Sequence, residues 1–226
     1  MNTQTFWQEL KTISNEFNVG RHPFVQRISE GKAARSELKQ FVIEHYEMTV
    51  RDSSPLFAQA YVYMERLNSE AAVMIADNFA EEALGLHTLT ASHKELLFEF
   101  WEKGLGLPRK ELEEASAAPA ARMLNAYLWM LVTRKIQHIG AIGVVMEGGF
   151  YHACDKMYPA FKTHYRLSDG DLRFFSGHLE ADKEHEDAGA KLVDGMLSTE
   201  RDRREFLIEA RCAGELYWKG WDAMLQ

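Results

Sequence analysis

The chain has 226 residues, 46% hydrophobic, 12% aromatic and 27% charged, enough apolar material for a sizeable core in one large domain or two small ones. Its formal net charge of −8 and scattered basic residues argue against a nucleic-acid partner, which needs a basic stripe to neutralise phosphates. No apolar run approaches the ~18 residues of a membrane span, and the start Met1–Trp7 lacks the basic and apolar regions of a signal peptide, so a cytoplasmic protein is expected.

Apolar residues recur with helical spacing almost throughout, and no stretch alternates as a strand would. Phe6, Leu10, Ile13 and Phe17 define one helix face, ended by Asn18-Val19-Gly20. His22-Pro23-Phe24 opens a short second helix, with proline in the first turn where its missing N–H costs nothing. A third helix is expected from about Ser36 through Tyr46 to Arg51, after which Ser53-Ser54-Pro55 bends the chain or opens the next. Leu67-Asn68-Ser69-Glu70 reads as a turn and cap before a helix carrying Asn78 and Glu82. Another runs from Leu96 to Lys103 and stops at Gly104-Leu105-Gly106-Leu107-Pro108. Ala117 to Met146 reads as one long, buried helix with Gly140 inside it. Helices over Gly149–Phe161, Leu167–Leu197 and Arg201–Met224 complete the series. No linker or repeat divides it, so one all-α domain of seven to eight helices over residues 1–226 is expected. Cys154 and Cys212 are too few for a disulfide framework or a thiolate cage and read as small core residues.

The strongest chemical signal lies at 178–185. His178, Asp182 and His185 stand at i, i+4 and i+7, which at about 100° per residue places them on one helix face. Two imidazoles and a carboxylate suit a non-haem iron centre; on a helix this rich in charge, a solvated face is the bland alternative. A second piece is Glu82 followed by His93. They are 11 residues apart, close to three turns of an unbroken helix; if Gly85 breaks the helix, a loop must bring His93 back. Glu81 and His87 are the rival positions. A third is Glu147, directly after the apolar run Val144-Val145-Met146, where a buried carboxylate wants a cation, an arginine or a metal. Together Glu82, His93, Glu147, His178, Asp182 and His185 supply three carboxylates and three imidazoles, a set better suited to iron or manganese than to structural zinc. Three carboxylates against two divalent ions leave a net positive charge, which favours an anionic substrate.

At these residues the chain resembles the haem-oxygenase-like di-iron oxidases and oxygenases, a superfamily that also holds TenA thiaminases, pyrroloquinoline-quinone synthase and CADD. The matching elements are His22-Pro23-Phe24, Asn-x-x-Glu-Glu-x-x-Gly at 78–85, His93-x-Glu-Leu-x-x-x-Phe at 93–100, Gly104-Leu105-Gly106-Leu107, Glu147, and His178-x-x-x-Asp182-x-x-His185, in order over roughly residues 20 to 195. The resemblance implies a helical bundle, often a homodimer, with two Fe(II) ions held by Glu82, His93, Glu147, His178, Asp182 and His185. Asn78 and Gly85 set the register that prefers Glu82 to Glu81. It implies O2 as co-substrate and oxidation of a small carboxylate-bearing molecule: amino-acid-like, fatty or aromatic. The match departs in a longer Glu82–His93 interval, which contains His87, and at Val25, where CADD-type aminobenzoate synthases keep a tyrosine.

Three other readings compete. A TenA-like hydrolase would need an activated cysteine, and a quinone-synthase-like enzyme of the same fold would act without metal. A non-catalytic helical interaction protein would leave the ligand faces as solvated charge. Haem binding would need a histidine on the first helix, and His22 lies just beyond it. For substrate contacts the candidates are Arg51, whose fork of donors suits a carboxylate, Tyr46 and His45 on the third helix, and Tyr151 and His152 after Glu147.

Overall fold

Capping residues set several of the helix boundaries in the computed structural model, which describes residues 2–86, 91–179 and 196–225. Helix α1 (Thr3–Glu16) starts where the Asn2 side chain accepts from the Thr5 N–H at 2.8 Å, and it buries Phe6, Leu10 and Ile13. Helix α2 (Pro23–Ser29) carries Pro23 in its first turn, with the His22 ring accepting from the Phe24 N–H. Helix α3 (Arg35–His45) passes without a break into a π-turn, Tyr46–Val50. Ser53 opens α4 (Ser53–Glu65), which packs along α5 (Ser69–Leu84). Asn68 caps α5, and Gly85 ends it in the left-handed conformation, φ 61°, which glycine adopts without steric cost.

Ser92 then caps α6 (His93–Glu99), which runs into a second π-turn, Phe100–Gly104. After the single turn α7 (Arg109–Glu113), α8 spans Pro119–Arg134. The Ala118 N–H at its start donates to both oxygens of the buried Glu44 at 3.0 Å. Helix α9 is Gly148–His164, residues 173–179 form α10, and α11 is Glu200–Asp222, opened by a Thr199–Asp202 capping box. Among the described residues there is no strand, and no helix is long and apolar enough to cross a membrane. The all-α class expected from periodicity is the class observed.

Two expectations change. The long helix expected over Ala117–Met146 breaks at Lys135 (φ −139°, ψ 38°), passes through a 3-10 turn at Ile136–His138, and re-forms as a π-turn at Ile142–Glu147. No proline or glycine marks the break; the Lys135 ammonium reaches Glu205 on α11 at 3.4 Å, and Ile136 and His138 turn into the interior. Glu147 therefore does not end a helix. The chain continues directly into α9, and Gly148 and Gly149 lie inside helix rather than after it. The helix expected from Leu167 begins instead at residue 173, because Ser168 and Asp171 close a local turn by exchanging side-chain and backbone hydrogen bonds.

The core forms two apolar clusters. The smaller joins Phe6, Leu10 and Ile13 of α1 to Phe206, Leu207 and Ala210 of α11. The larger centres on a layer of rings, Phe41, Phe150, Phe174, Phe175 and Trp221, at centroid spacings of 5.4–6.2 Å. Small residues let α9 approach the turn at 19–21. A Cβ on Gly20 would lie 2.6 Å from the Cβ of His152 and 2.8 Å from its carbonyl carbon. Gly20→Ala should therefore destabilise the protein by about 1–3 kcal/mol through overpacking against backbone, read as a lower urea midpoint at unchanged m.

Candidate metal centre

One cavity, about 610 Å³ including its mouth, is walled by α3, α4, α5, α6, α8, α9, α10 and α11 and by the π-turns at 46–50 and 142–147. Four of the six residues singled out in the sequence line it: Glu82 near the end of α5, His93 at the start of α6, Glu147 in the second of those π-turns, and His178 on α10. Asp182, His185 and the rival His87 lie outside the described residues.

His93 is 1% exposed and stands between two carboxylates. Its Nδ1 lies 2.9 Å from Glu82 Oε1, and its Nε2 lies 3.7 Å from Glu81 Oε1. Gly85 does end α5, and His93 lies against the last turn of that helix. Of the two adjacent glutamates, Glu82 makes the shorter contact and lines the cavity, while Glu81, 2% exposed, is not among the lining residues. The His93 and His178 rings are 4.6 Å apart. His178 Nδ1 lies 2.7 Å from the Phe174 carbonyl oxygen, an acceptor only, so Nδ1 carries the hydrogen and donates it. That bond leaves the Nε2 lone pair as the ring's ligating position, the second-sphere arrangement by which proteins orient a metal-binding imidazole. Phe150 and Phe174 flank the ring at 4.8 and 4.5 Å.

Among the described residues no three His, Cys, Asp or Glu side chains are already grouped to hold a metal. The donor set on the cavity wall still fits iron or manganese: it is carboxylate oxygen and imidazole nitrogen, with no thiolate. Cys154 and Cys212 are both absent from the lining. His22 is a structural residue, buried between its cap contact to Phe24 and Asp222 Oδ1 at 3.2 Å.

Of the five substrate candidates, His45 lines the cavity and the other four do not. Arg51 pairs with Glu47 Oε2 at 2.5 Å and lies over the Tyr46 ring at 5.2 Å. Tyr46 packs on Phe98, and neither residue lines the cavity; nor do Tyr151 and His152. The remaining wall is mostly apolar, with Leu56 and Phe57 on α4, Leu128 on α8 and Ile142 and Met146 of the π-turn, together with His45, Thr49, Ser53 and Tyr217. Tyr217 and Leu128 carried no signal in the sequence beyond their place on apolar helix faces.

With the site described, its relatives can be named. The family model of iron-containing redox enzymes matches residues 39–218. The chain belongs to that family. A curated relative, the 4-aminobenzoate synthase of Nitrosomonas europaea, is 23% identical over 235 aligned positions, covering 99% of this chain and 92% of the relative. Among solved structures, a haem-oxygenase-like domain of unknown function from Shewanella denitrificans superposes with TM-score 0.79 at 17% identity, covering 100% of this chain and 92% of that one. A CADD-like protein of unknown function from Nostoc punctiforme gives 0.72 at 21%, covering 98% and 97%. A TenA homologue from Pseudomonas syringae gives 0.79 at 11%, covering 99% and 92%. At these identities the structures establish the haem-oxygenase-like fold of this iron-containing redox enzyme, and the fold alone.

The buried imidazoles make stability depend on pH. Burial pulls the pKa of His45 down to about 3 and also lowers His22 and His138, against opposing pulls from Asp222 and Glu209 on the last two. The unfolded rings protonate near 6.5 while the folded ones resist, so this contribution is complete above about pH 6.5 and is lost as pH falls. Urea midpoints of the metal-free protein should drop between pH 7.5 and 5.5. His45 alone should account for about 1.4 kcal/mol per pH unit below its unfolded pKa, and His45→Phe should flatten the profile by that share.

Proposed function

We propose that this chain is a non-haem di-iron oxidase or oxygenase that uses O2 to oxidise a small carboxylate-bearing substrate. The observation that carries the reading is the meeting of Glu82, His93, Glu147 and His178, from four separate segments, on the wall of one mostly apolar cavity. Asp182 and His185 complete the ligand set by their register with His178 on the sequence. Membership of the iron-containing redox enzymes and the 4-aminobenzoate synthase relative both support oxidative chemistry.

Bound by these residues, two Fe(II) ions would supply O2 activation and the electrons for it. The chain's own groups have separate tasks. The Phe174 carbonyl keeps His178 in the Nδ1–H tautomer, so that Nε2 faces its ligand without rearrangement. Glu82 holds the Nδ1 edge of His93 and fixes that ring against α5. Leu56, Phe57, Ile142 and Phe150 give the cavity an apolar surface that would limit water beside the bound metal. No lysine or arginine stands among the described lining residues, so a substrate carboxylate would take its countercharge from the metal end.

The reading stops short of aminobenzoate formation, because Val25, buried in α2, stands where the resemblance expects a tyrosine. A TenA-like cysteine mechanism finds no support in the cavity, since neither cysteine lines it.

Anaerobic loading should give about two Fe(II) per chain, and His178→Ala or Asp182→Ala should each lose at least one. Fe(II) at about a hundredfold its Kd should add about 2.7 kcal/mol of stability to the wild type. A wild-type protein that takes up no iron under these conditions would sink the proposal.

A further inference from the structure

The cavity wall includes a buried imidazole outside the proposed ligand set. His45, the last residue of α3, is 3% exposed, and its Nδ1 has no hydrogen-bond partner among the described residues. Leaving a buried ring nitrogen unmatched is unfavourable, so such an atom calls for a ligand.

The rest of the ring's polar capacity is accounted for. The Thr49 hydroxyl donates its one hydrogen to the His45 carbonyl oxygen at 3.1 Å. The hydroxyl oxygen lies 3.5 Å from His45 Nε2, a long contact that the ring can use only in the tautomer with its hydrogen on Nε2. Nδ1 is then a lone-pair acceptor, and burial keeps the ring neutral. The ring is also held in place. It stacks on Phe150 at 4.5 Å and 21°, lies near-parallel to Phe41 at 5.5 Å, and meets Phe174 edge-on at 5.6 Å. The groups whose charge reaches it are Glu82 and His93, across the cavity.

We infer that His45 is a substrate-orienting residue whose Nδ1 accepts a hydrogen bond from an N–H or O–H group of a largely apolar substrate. The metal would take the anionic group, and His45, which shares its Phe150 and Phe174 neighbours with His178, would read a donor elsewhere on the molecule. An amine, a phenol or a hydroxy acid fits this arrangement better than a plain alkyl acid, whose chain would leave Nδ1 unmatched. The inference deepens the proposed function and rests on this cavity being its active site.

The test uses phenol and toluene as probes of equal shape, with and without the donor, titrated calorimetrically into the full-length metal-free protein. Wild type should bind phenol, and His45→Phe should weaken phenol about tenfold while leaving toluene within about twofold. His45→Asn, whose side-chain oxygen can stand where Nδ1 stood, should keep the phenol affinity. His45→Gln, whose amide reaches Thr49 and offers no acceptor at Nδ1, should lose it. Near-UV circular dichroism checks the packing of each variant, and iron uptake is counted on each separately. Phenol that does not bind wild type, or binds all variants alike, overturns the inference, as does a loss of iron in His45→Phe, which would make the ring a ligand. Misfolding of all three variants marks a core histidine and overturns it too. Unchanged iron with unchanged phenol affinity removes this inference alone. His45-dependent phenol binding in a chain that takes up no iron supports it while removing the di-iron reading.

Discussion

Burying ionisable groups in a helical bundle is costly unless each finds a counterpart, and His93 is where this chain meets that constraint. The ring is almost wholly removed from water, yet two carboxylates from the last turn of α5 and a second imidazole from α10 surround it. Bringing them together fixes how three helices meet. Helix α5 must stop, which Gly85 allows by adopting a backbone conformation other residues resist, and α6 must restart with His93 at its first position, which the Ser92 cap dictates. Burying these groups together costs stability that an apolar core would not, a common trade at functional sites.

Around that contact the bundle departs from regular helix where it borders the cavity. The π-turns at 46–50 and 142–147 both contribute to its wall, with Thr49 and Val50 from one and Ile142, Met146 and Glu147 from the other. A π-turn adds a residue to the helical repeat and so redirects the side chains that follow, which is why such turns recur at functional sites. Here the second carries an acidic side chain to the cavity from within an otherwise apolar, buried stretch.

Carboxylates and imidazoles line the cavity with no lysine or arginine among the described lining residues, and the guanidinium nearest in sequence, Arg51, is held by Glu47. A fold shared with a TenA homologue at 11% identity does not choose among chemistries. The residues that line the cavity bear on that choice, because they decide what can bind there and what is kept out.

Much of this was legible in the sequence, because capping and periodicity are local. The Asn68 cap, the Gly85 stop, the first turn at Pro23 and the all-α class follow from side chains within a few residues of one another. The acidic pair at 81–82 and the imidazole at 93 could be named as candidates, since their residue types are rare in apolar surroundings. Periodicity could not reveal the break at Lys135, which no proline or glycine marks, nor that Glu147 sits inside continuous helix. Nor could it tell Arg51, held by a neighbour one turn away, from His45, six residues earlier and lining the cavity. The sequence by itself determined which residues could form helices and which could ligate, because backbone propensity and donor chemistry belong to single residues and their near neighbours. Only the tertiary structure decided which of those donors share a cavity, because that depends on how closely distant helices pack and where their registers slip.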